Sequence, residues 1–251
     1  MRKIAVISQK GGVGKTTTSM NLAHALRLAG KKVLLIDMDP QENLSNSLGI
    51  FGNSIPGIGA VLLEEFDVNE SVVKLENGLS IIPAGSRLGE LEFVSKGGSE
   101  RGFRLQKALQ ELKGKFDFIL IDCPPSAGML GMNALMAVKE LIIPVSSDYL
   151  SMQGLSRLMG ILQHIESKLH TRNQKWVVLT RYQKRRKLAQ EVKDKILQYF
   201  PKQVLKTSIR ESVALAESPS YCKTIFEYKK LSYGAEDYLN LAKDVIHKKT
   251  A

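Results

Sequence analysis

The stretch Gln9-Lys10-Gly11-Gly12-Val13-Gly14-Lys15-Thr16-Thr17 constrains this chain more than any other. Before it, Ile4-Ala5-Val6-Ile7 is apolar and largely β-branched, the pattern of a buried parallel strand. After it, residues 16–29 carry Met20, Leu22, Ala23, Leu26 and Leu28, mostly at helical spacing, and Gly30 supplies a stop. Strand, glycine loop and helix in that order are the context of a phosphate-binding loop. The generic pattern G-x-x-x-x-G-K-[ST] would place glycine at position 9, where this chain has Gln9.

The residue types suit such a ligand. Phosphate oxygens require a ring of backbone N–H donors, and glycines let the chain curl around them without Cβ clashes. The helix start aims its free N–H groups and positive dipole end at the same oxygens. In such a loop Gly11, Gly12, Val13, Gly14 and Thr17 line the phosphates, Lys15 reaches the β- and γ-phosphates, and the Thr16 hydroxyl ligates Mg²⁺.

Two further segments end in acids. Val33-Leu34-Leu35-Ile36-Asp37-Met38-Asp39-Pro40 reads as a buried strand running into two carboxylates. A side-chain period of two sends Asp37 and Asp39 to one face, and Pro40, lacking an N–H, ends the ladder. Phe116-Asp117-Phe118-Ile119-Leu120-Ile121-Asp122 is a second apolar strand ending in an acid. Open parallel sheets bind ligands beyond their strand C-termini, so all three acids are expected to face the loop. Asp122 reads as the acid that holds Mg²⁺ through its water shell, with Asp37 near the metal. Asp39 is the candidate for positioning an attacking water.

Lys-Gly-Gly-Val-Gly-Lys-Thr-Thr (10–17), Asp-Met-Asp-Pro-Gln (37–41) and Asp-Cys-Pro-Pro-Ser (122–126) together resemble the ParA/Soj family of partition ATPases. That family belongs to the deviant Walker A group, with MinD and the nitrogenase iron protein. The resemblance continues through Ile143-Pro144-Val145, residues 149–155, residues 209–220 and Gly234-Ala235-Glu236-Asp237-Tyr238. It implies ATP and Mg²⁺ as cofactors, an ATP-dependent homodimer, and slow hydrolysis stimulated by a ParB-like partner. It also implies that Lys10 is the signature lysine, which crosses to the partner subunit's phosphates. Charge supplied in that way acts like an arginine finger, worth about 10³- to 10⁵-fold in rate, or roughly 4–7 kcal/mol. Gly12 falls where the family needs a surface free of side chains, so that two nucleotide faces can meet.

At 251 residues the chain can bury one substantial α/β core. Strands are expected at 3–8, 32–37, 79–83, 116–122, 140–145, 175–181 and, briefly, 204–209, alternating with helical stretches. The expected fold is α/β: one domain over residues 1–251, a mostly parallel twisted sheet with helices on both faces. Glycine-rich residues 49–59 and the pair Gly97-Gly98 read as loops within it. Two cysteines, Cys123 and Cys222, provide neither a disulfide framework nor a zinc motif. With no signal-like leader and no apolar run of spanning length, a cytoplasmic, nucleoid-associated protein is expected.

Charge is distributed unevenly. Residues 1–167 hold 17 basic and 17 acidic side chains; residues 168–251 hold 19 basic and 8 acidic. The formal net charge of +11 therefore resides in the last third. The densest run, Lys184-Arg185-Arg186-Lys187, precedes a helix expected to bury Leu188, Val192, Ile196 and Tyr199. Cations at a helix start oppose its dipole, so helix stability does not account for them. Together with Lys206, Arg210 and Lys223 they form a candidate stripe for the phosphates of a polyanion, contacts that position without reading bases; the family resemblance implies that this polyanion is DNA, bound nonspecifically and gated by ATP. No helix-turn-helix segment precedes the loop, in keeping with nonspecific binding. Ala214, where many relatives carry arginine, and Gln183, in place of an acid after the matching Tyr182, bear on which basic residues touch DNA.

Two other readings compete. A MinD-like membrane switch would need a lipid-seeking terminal helix; here Tyr238, Leu241, Ala242, Val245 and Ile246 make a short stripe suited to core packing. An iron–sulfur carrier would need paired cluster cysteines, which Cys123 and Cys222 do not provide. No membrane partner is expected.

Overall fold

Seven strands order the molecule, a computed structural model that describes residues 1–52, 55–93, 98–125 and 128–251. Ser126 and Gly97, both singled out above, lie outside the described residues. The strands are β1 (Arg2–Val6), β2 (Val33–Asp37), β3 (Val73–Lys74), β4 (Ser80–Ile82), β5 (Phe118–Asp122), β6 (Glu140–Ser146) and β7 (Gln174–Thr180). Their order is β3-β4-β2-β5-β1-β6-β7, parallel except for the antiparallel β3 edge. The helices are α1 (Lys15–Leu28), α2 (Asn43–Ser47), α3 (Ile58–Leu62), α4 (Arg104–Glu111) and α5 (Met129–Ala137). They continue with α6 (Tyr149–Leu169), α7 (Lys187–Tyr199), α8 (Val213–Glu217), α9 (Ile225–Tyr228) and α10 (Tyr233–His247).

The strands are apolar without alternation because both faces of the sheet are covered. Ile4, Val6, Leu35, Leu120 and Ile142 point into one core layer, shared with α1 and α10. Their neighbours Ala5, Leu34, Ile36, Ile121 and Ile143 point into the other, under α3 to α7. Strand order reverses at β1, which lies between β5 and β6. The loop leaving β1 therefore opens into the crevice where doubly wound sheets bind ligands.

Several expectations shift in detail. β1 spans residues 2–6, so Ile7 and Ser8 already belong to the loop. The β3 edge was not foreseen. Residues 204–209 run beside β7, with Ile209 N–H donating to the Leu179 carbonyl at 2.8 Å, but pair only through isolated bridges. Part of the glycine-rich loop is helical: Gly57 and Gly59 flank the start of α3, and a Cβ on either would strike the backbone of residues 83–88. The α7 helix buries Ala189, Val192 and Ile196, leaving Leu188 and Tyr199 exposed. Leu28 is likewise exposed at the end of α1.

A polar ladder on α1 ties it to the C-terminal elements. The Thr18 hydroxyl meets the Tyr238 hydroxyl of α10 at 3.2 Å. Asn21 Oδ1 accepts from Ile225 N–H at 2.7 Å, and His24 Nδ1 meets Thr224 Oγ1 at 2.7 Å. Residues three apart share a helix face, so one edge of α1 is committed to this contact.

Candidate nucleotide site

Gly14 ends the loop and caps α1 in the left-handed conformation, φ +88°, which favours glycine. Gly12 also has positive φ, +73°, and a Cβ there would meet nothing within 4 Å in its own chain. No side chain caps α1, and no acid stands in its first turn. Its leading N–H groups are thus left to an external acceptor. Thr180, at the end of β7, donates to the Val13 carbonyl at 2.8 Å and pins the loop from the neighbouring strand side.

Lys15 is buried, only 9% exposed, yet its ammonium forms no hydrogen bond or ion pair among the described residues. A buried ammonium without a bound anion is costly, so the position demands an anionic ligand. Asp122 lies beside it at the end of β5, fully buried, accepting from Thr16 Oγ1 at 2.7 Å and Ser19 Oγ at 2.8 Å. Burial, then the charge of Asp37, pushes the Asp122 carboxyl up to about 7 despite those hydrogen bonds. Asp37 is its register partner across β2 and β5 and is also fully buried. It accepts from the N–H and hydroxyl of Ser45 at 2.9 and 2.7 Å, and burial raises it to about 6. Two coupled buried acids with raised pKa values are poised for a cation. The Asp37 carboxylate is already engaged by Ser45 of α2.

β2 stops at Asp37, so the period-of-two argument expires before Asp39. A turn places that residue instead: Asp39 N–H donates to Asp37 Oδ1 at 3.1 Å. Gln41 N–H and Asn43 Nδ2 then hold the Asp39 carboxylate at 3.0 and 3.5 Å.

Lys10 does not reach toward Lys15. Its Nζ donates to Asp148 Oδ1 at 2.6 Å and Ser151 Oγ at 3.0 Å, at the N-terminus of α6. Partial burial works against the Asp148 charge, but hydrogen bonds from Lys10, Ser146 and Ser151 outweigh it and hold the carboxyl at about 2. Sequence reasoning missed this capture, as it missed Ser19, Ser45 and Thr180. A cavity of about 360 Å³ opens beside the loop, lined by Gly12, Thr17, Thr180, Arg181, Ser212 and Tyr238 among others. Its walls come from four separate segments with no shared spacing.

Comparison with known proteins fixes the family. A family model described as an AAA domain matches residues 1–175. The sporulation initiation inhibitor protein Soj of Bacillus subtilis is 41% identical, the alignment covering 96% of this chain and 97% of that one. The chromosome partitioning protein ParA of Myxococcus xanthus is 38% identical, covering 99% and 89%. The chain belongs to the ParA/Soj family of partition ATPases. Among solved structures, a cobyrinic acid a,c-diamide synthase from Mycobacterium smegmatis with bound ADP and magnesium superposes with a TM-score of 0.84. It is 28% identical, and the match covers 98% of this chain and 94% of that one.

In this ParA/Soj chain the basic residues divide into two kinds. Lys184, Arg185, Arg186 and Lys187 are exposed at the start of α7, and Lys206 and Lys223 are exposed on loops. Among the described residues, only Lys187 in that run has a carboxylate within ion-pair distance, Glu191 at 4.0 Å. Arg210 differs. Its guanidinium binds Asp237 and Glu236 at 2.6 Å each and lies over the Tyr233 ring. Cys123 is buried, which drives its thiol pKa upward, while Cys222 stands apart against the Asn46 carbonyl. The apolar stripe of α10 packs in the core layer beside α1. Among the described residues no helix is long and apolar enough to cross a membrane.

Proposed function

We propose that this chain is a Mg²⁺-dependent ATPase that dimerises on ATP, binds DNA nonspecifically as a dimer, and releases it after hydrolysis stimulated by a ParB-like partner. The observation that carries the reading is Lys15, a buried cation whose ammonium forms no hydrogen bond or ion pair among the described residues, at an uncapped helix start. A triphosphate satisfies both features at once, its β- and γ-oxygens taking the Lys15 ammonium and the loop N–H groups. The 360 Å³ cavity beside Gly12 and Thr17 suits a purine and its ribose.

The donor set also fits Mg²⁺. Among the described residues no group of three or more His, Cys, Asp or Glu side chains is placed to hold a metal alone. That is the expected arrangement for an ion that shares its shell with phosphates and water. Thr16, Asp122 and Asp37 would hold it, and there it would neutralise charge on the phosphates. Asp39 orients the attacking water with a carboxylate fixed by Gln41 and Asn43. Lys15 stabilises charge on the transferring phosphoryl group.

Dimerisation rests on Lys10 and Gly12. Gly12 leaves an open, side-chain-free surface, and Lys10 stands on the same loop, ready to exchange Asp148 for a partner's phosphates. Two basic surfaces presented together bind DNA far more tightly than one, which makes DNA binding follow the nucleotide state. The exposed run 184–187, with Lys206 and Lys223, supplies that surface.

The test is ATP turnover with nonspecific DNA, with and without the candidate centromere-binding partner, alongside sedimentation of Asp39→Ala. Slow turnover that rises severalfold only when both DNA and partner are present is expected, with Asp39→Ala trapped as a DNA-bound dimer. A chain that stays monomeric at saturating ATP and Mg²⁺, even as Asp39→Ala, refutes the proposal.

A further inference from the structure

A second concavity, of about 750 Å³, lies at the opposite end of the sheet, where β1, β6 and β7 begin. Its apolar lining includes Leu135 and Met136 of α5 and Phe103, a residue 42% exposed. Around them stand Lys3 of β1, Lys139 just before β6 and Arg172 just before β7. None of the three cations forms a side-chain hydrogen bond or ion pair among the described residues. The one carboxylate in the lining, Glu140, is already consumed: Arg2 holds both its oxygens and Trp176 Nε1 donates to one of them. Lys3 is half-buried, and that burial lowers its ammonium pKa, as expected for a cation lacking a counter-charge.

The three cations stand at the starts of three adjacent strands. Ile4 pairs with Glu140, and Glu140 with Gln174, so Lys3 and Lys139 sit level on β1 and β6, and Arg172 lies one residue further back, before β7. Neighbouring strands are about 4.8 Å apart, so the three strand starts span about 10 Å. A single small anion is too short for that distance, whereas about three residues of extended peptide cover it at about 3.3 Å each. A phosphate backbone would answer the charge but not the exposed ring and the apolar floor. Aromatic and methionine side chains framed by polar groups are the composition of a protein interface core.

We propose that this groove docks an acidic peptide segment of a partner protein, its carboxylates on Lys3, Lys139 and Arg172 and one apolar side chain against Phe103, Leu135 and Met136. The site lies at the far end of the strands from the nucleotide loop, and its existence does not depend on the ATPase reading.

The test is fluorescence anisotropy with the full chain and a fluorescein-labelled decapeptide of alternating glutamate and leucine. Its glutamine counterpart, a single-stranded DNA dodecamer and a medium-chain fatty carboxylate serve as competitors. Saturable binding is expected, weakened at least tenfold in Lys139→Glu/Arg172→Glu and severalfold in Phe103→Ala. The glutamine peptide, the DNA and the fatty carboxylate should each compete at least tenfold less well. Both charge positions are exposed, so the double variant should melt like wild type and retain its ATP turnover. No binding, equal competition by the glutamine peptide, stronger competition by DNA or carboxylate, or unchanged affinity in the double variant each overturns the proposal.

Discussion

Replacing Asp148 by asparagine should tighten the proposed ATP-dependent dimer. In the free chain Lys10 is bound to Asp148 at 2.6 Å, and a lysine that serves a partner's phosphates must leave that carboxylate first. The pair is partly exposed, with 31% and 44% of the two side chains accessible. Pairs of that kind are worth about 0.2–1 kcal/mol after solvent screening. Each protomer gives one up, so the dimer forfeits about 0.4–2 kcal/mol, or roughly 2- to 30-fold in its dissociation constant. Asparagine keeps the cap of α6, because its carbonyl still accepts from Ser151 N–H and Asn is as good an N-cap as Asp. The substitution thus removes the charge and leaves the helix start. Sedimentation velocity with a slowly hydrolysed ATP analogue and Mg²⁺ measures the constant directly. An unchanged or weaker dimer in Asp148→Asn, with the melting temperature preserved, would mean that the Lys10–Asp148 contact is not a resting position at all.

The two kinds of basic residue should separate in a paired experiment. Arg185→Ala/Arg186→Ala is expected to weaken DNA binding similarly on all sequences, reduce the salt slope by about two, and leave thermal stability unchanged. Arg210→Ala should instead cost about 1–2 kcal/mol of stability, because it strands the nearly buried Asp237. His24 should make the fold acid-sensitive. Burial lowers its pKa, with Glu227 opposing, so below its ordinary value of about 6.5 the unfolded chain binds the proton more readily and stability falls as pH drops. Asp37 and Asp122, with raised values, have the opposite slope. The difference between wild type and His24→Gln in urea melts from pH 7.5 to 5.5 isolates the histidine. It is expected to approach about 1.4 kcal/mol per pH unit at most, and identical slopes would exclude the effect.

The alternation of strands and helices, the phosphate loop and the family resemblance could all be read along the sequence, because each depends on local pattern. A glycine run between an apolar strand and a helix, and acids closing two more apolar strands, allow few other arrangements. The basic bias of the last third was equally plain. Contacts between segments far apart in the chain were not legible. Asp148 holding Lys10, Ser45 holding Asp37, Arg210 locked to Asp237, and the cavity beside Tyr238 all join residues that share no spacing. Strand order alone brings β6 next to β1, and so sets the start of α6 beside the loop that carries Lys10. The phase of α7, which turned Leu188 and Tyr199 outward, was likewise decided by what lay beneath it. Sequence determines which groups exist and which local shapes they favour; the folded sheet decides which of their charges meet, since that depends on proximity in space.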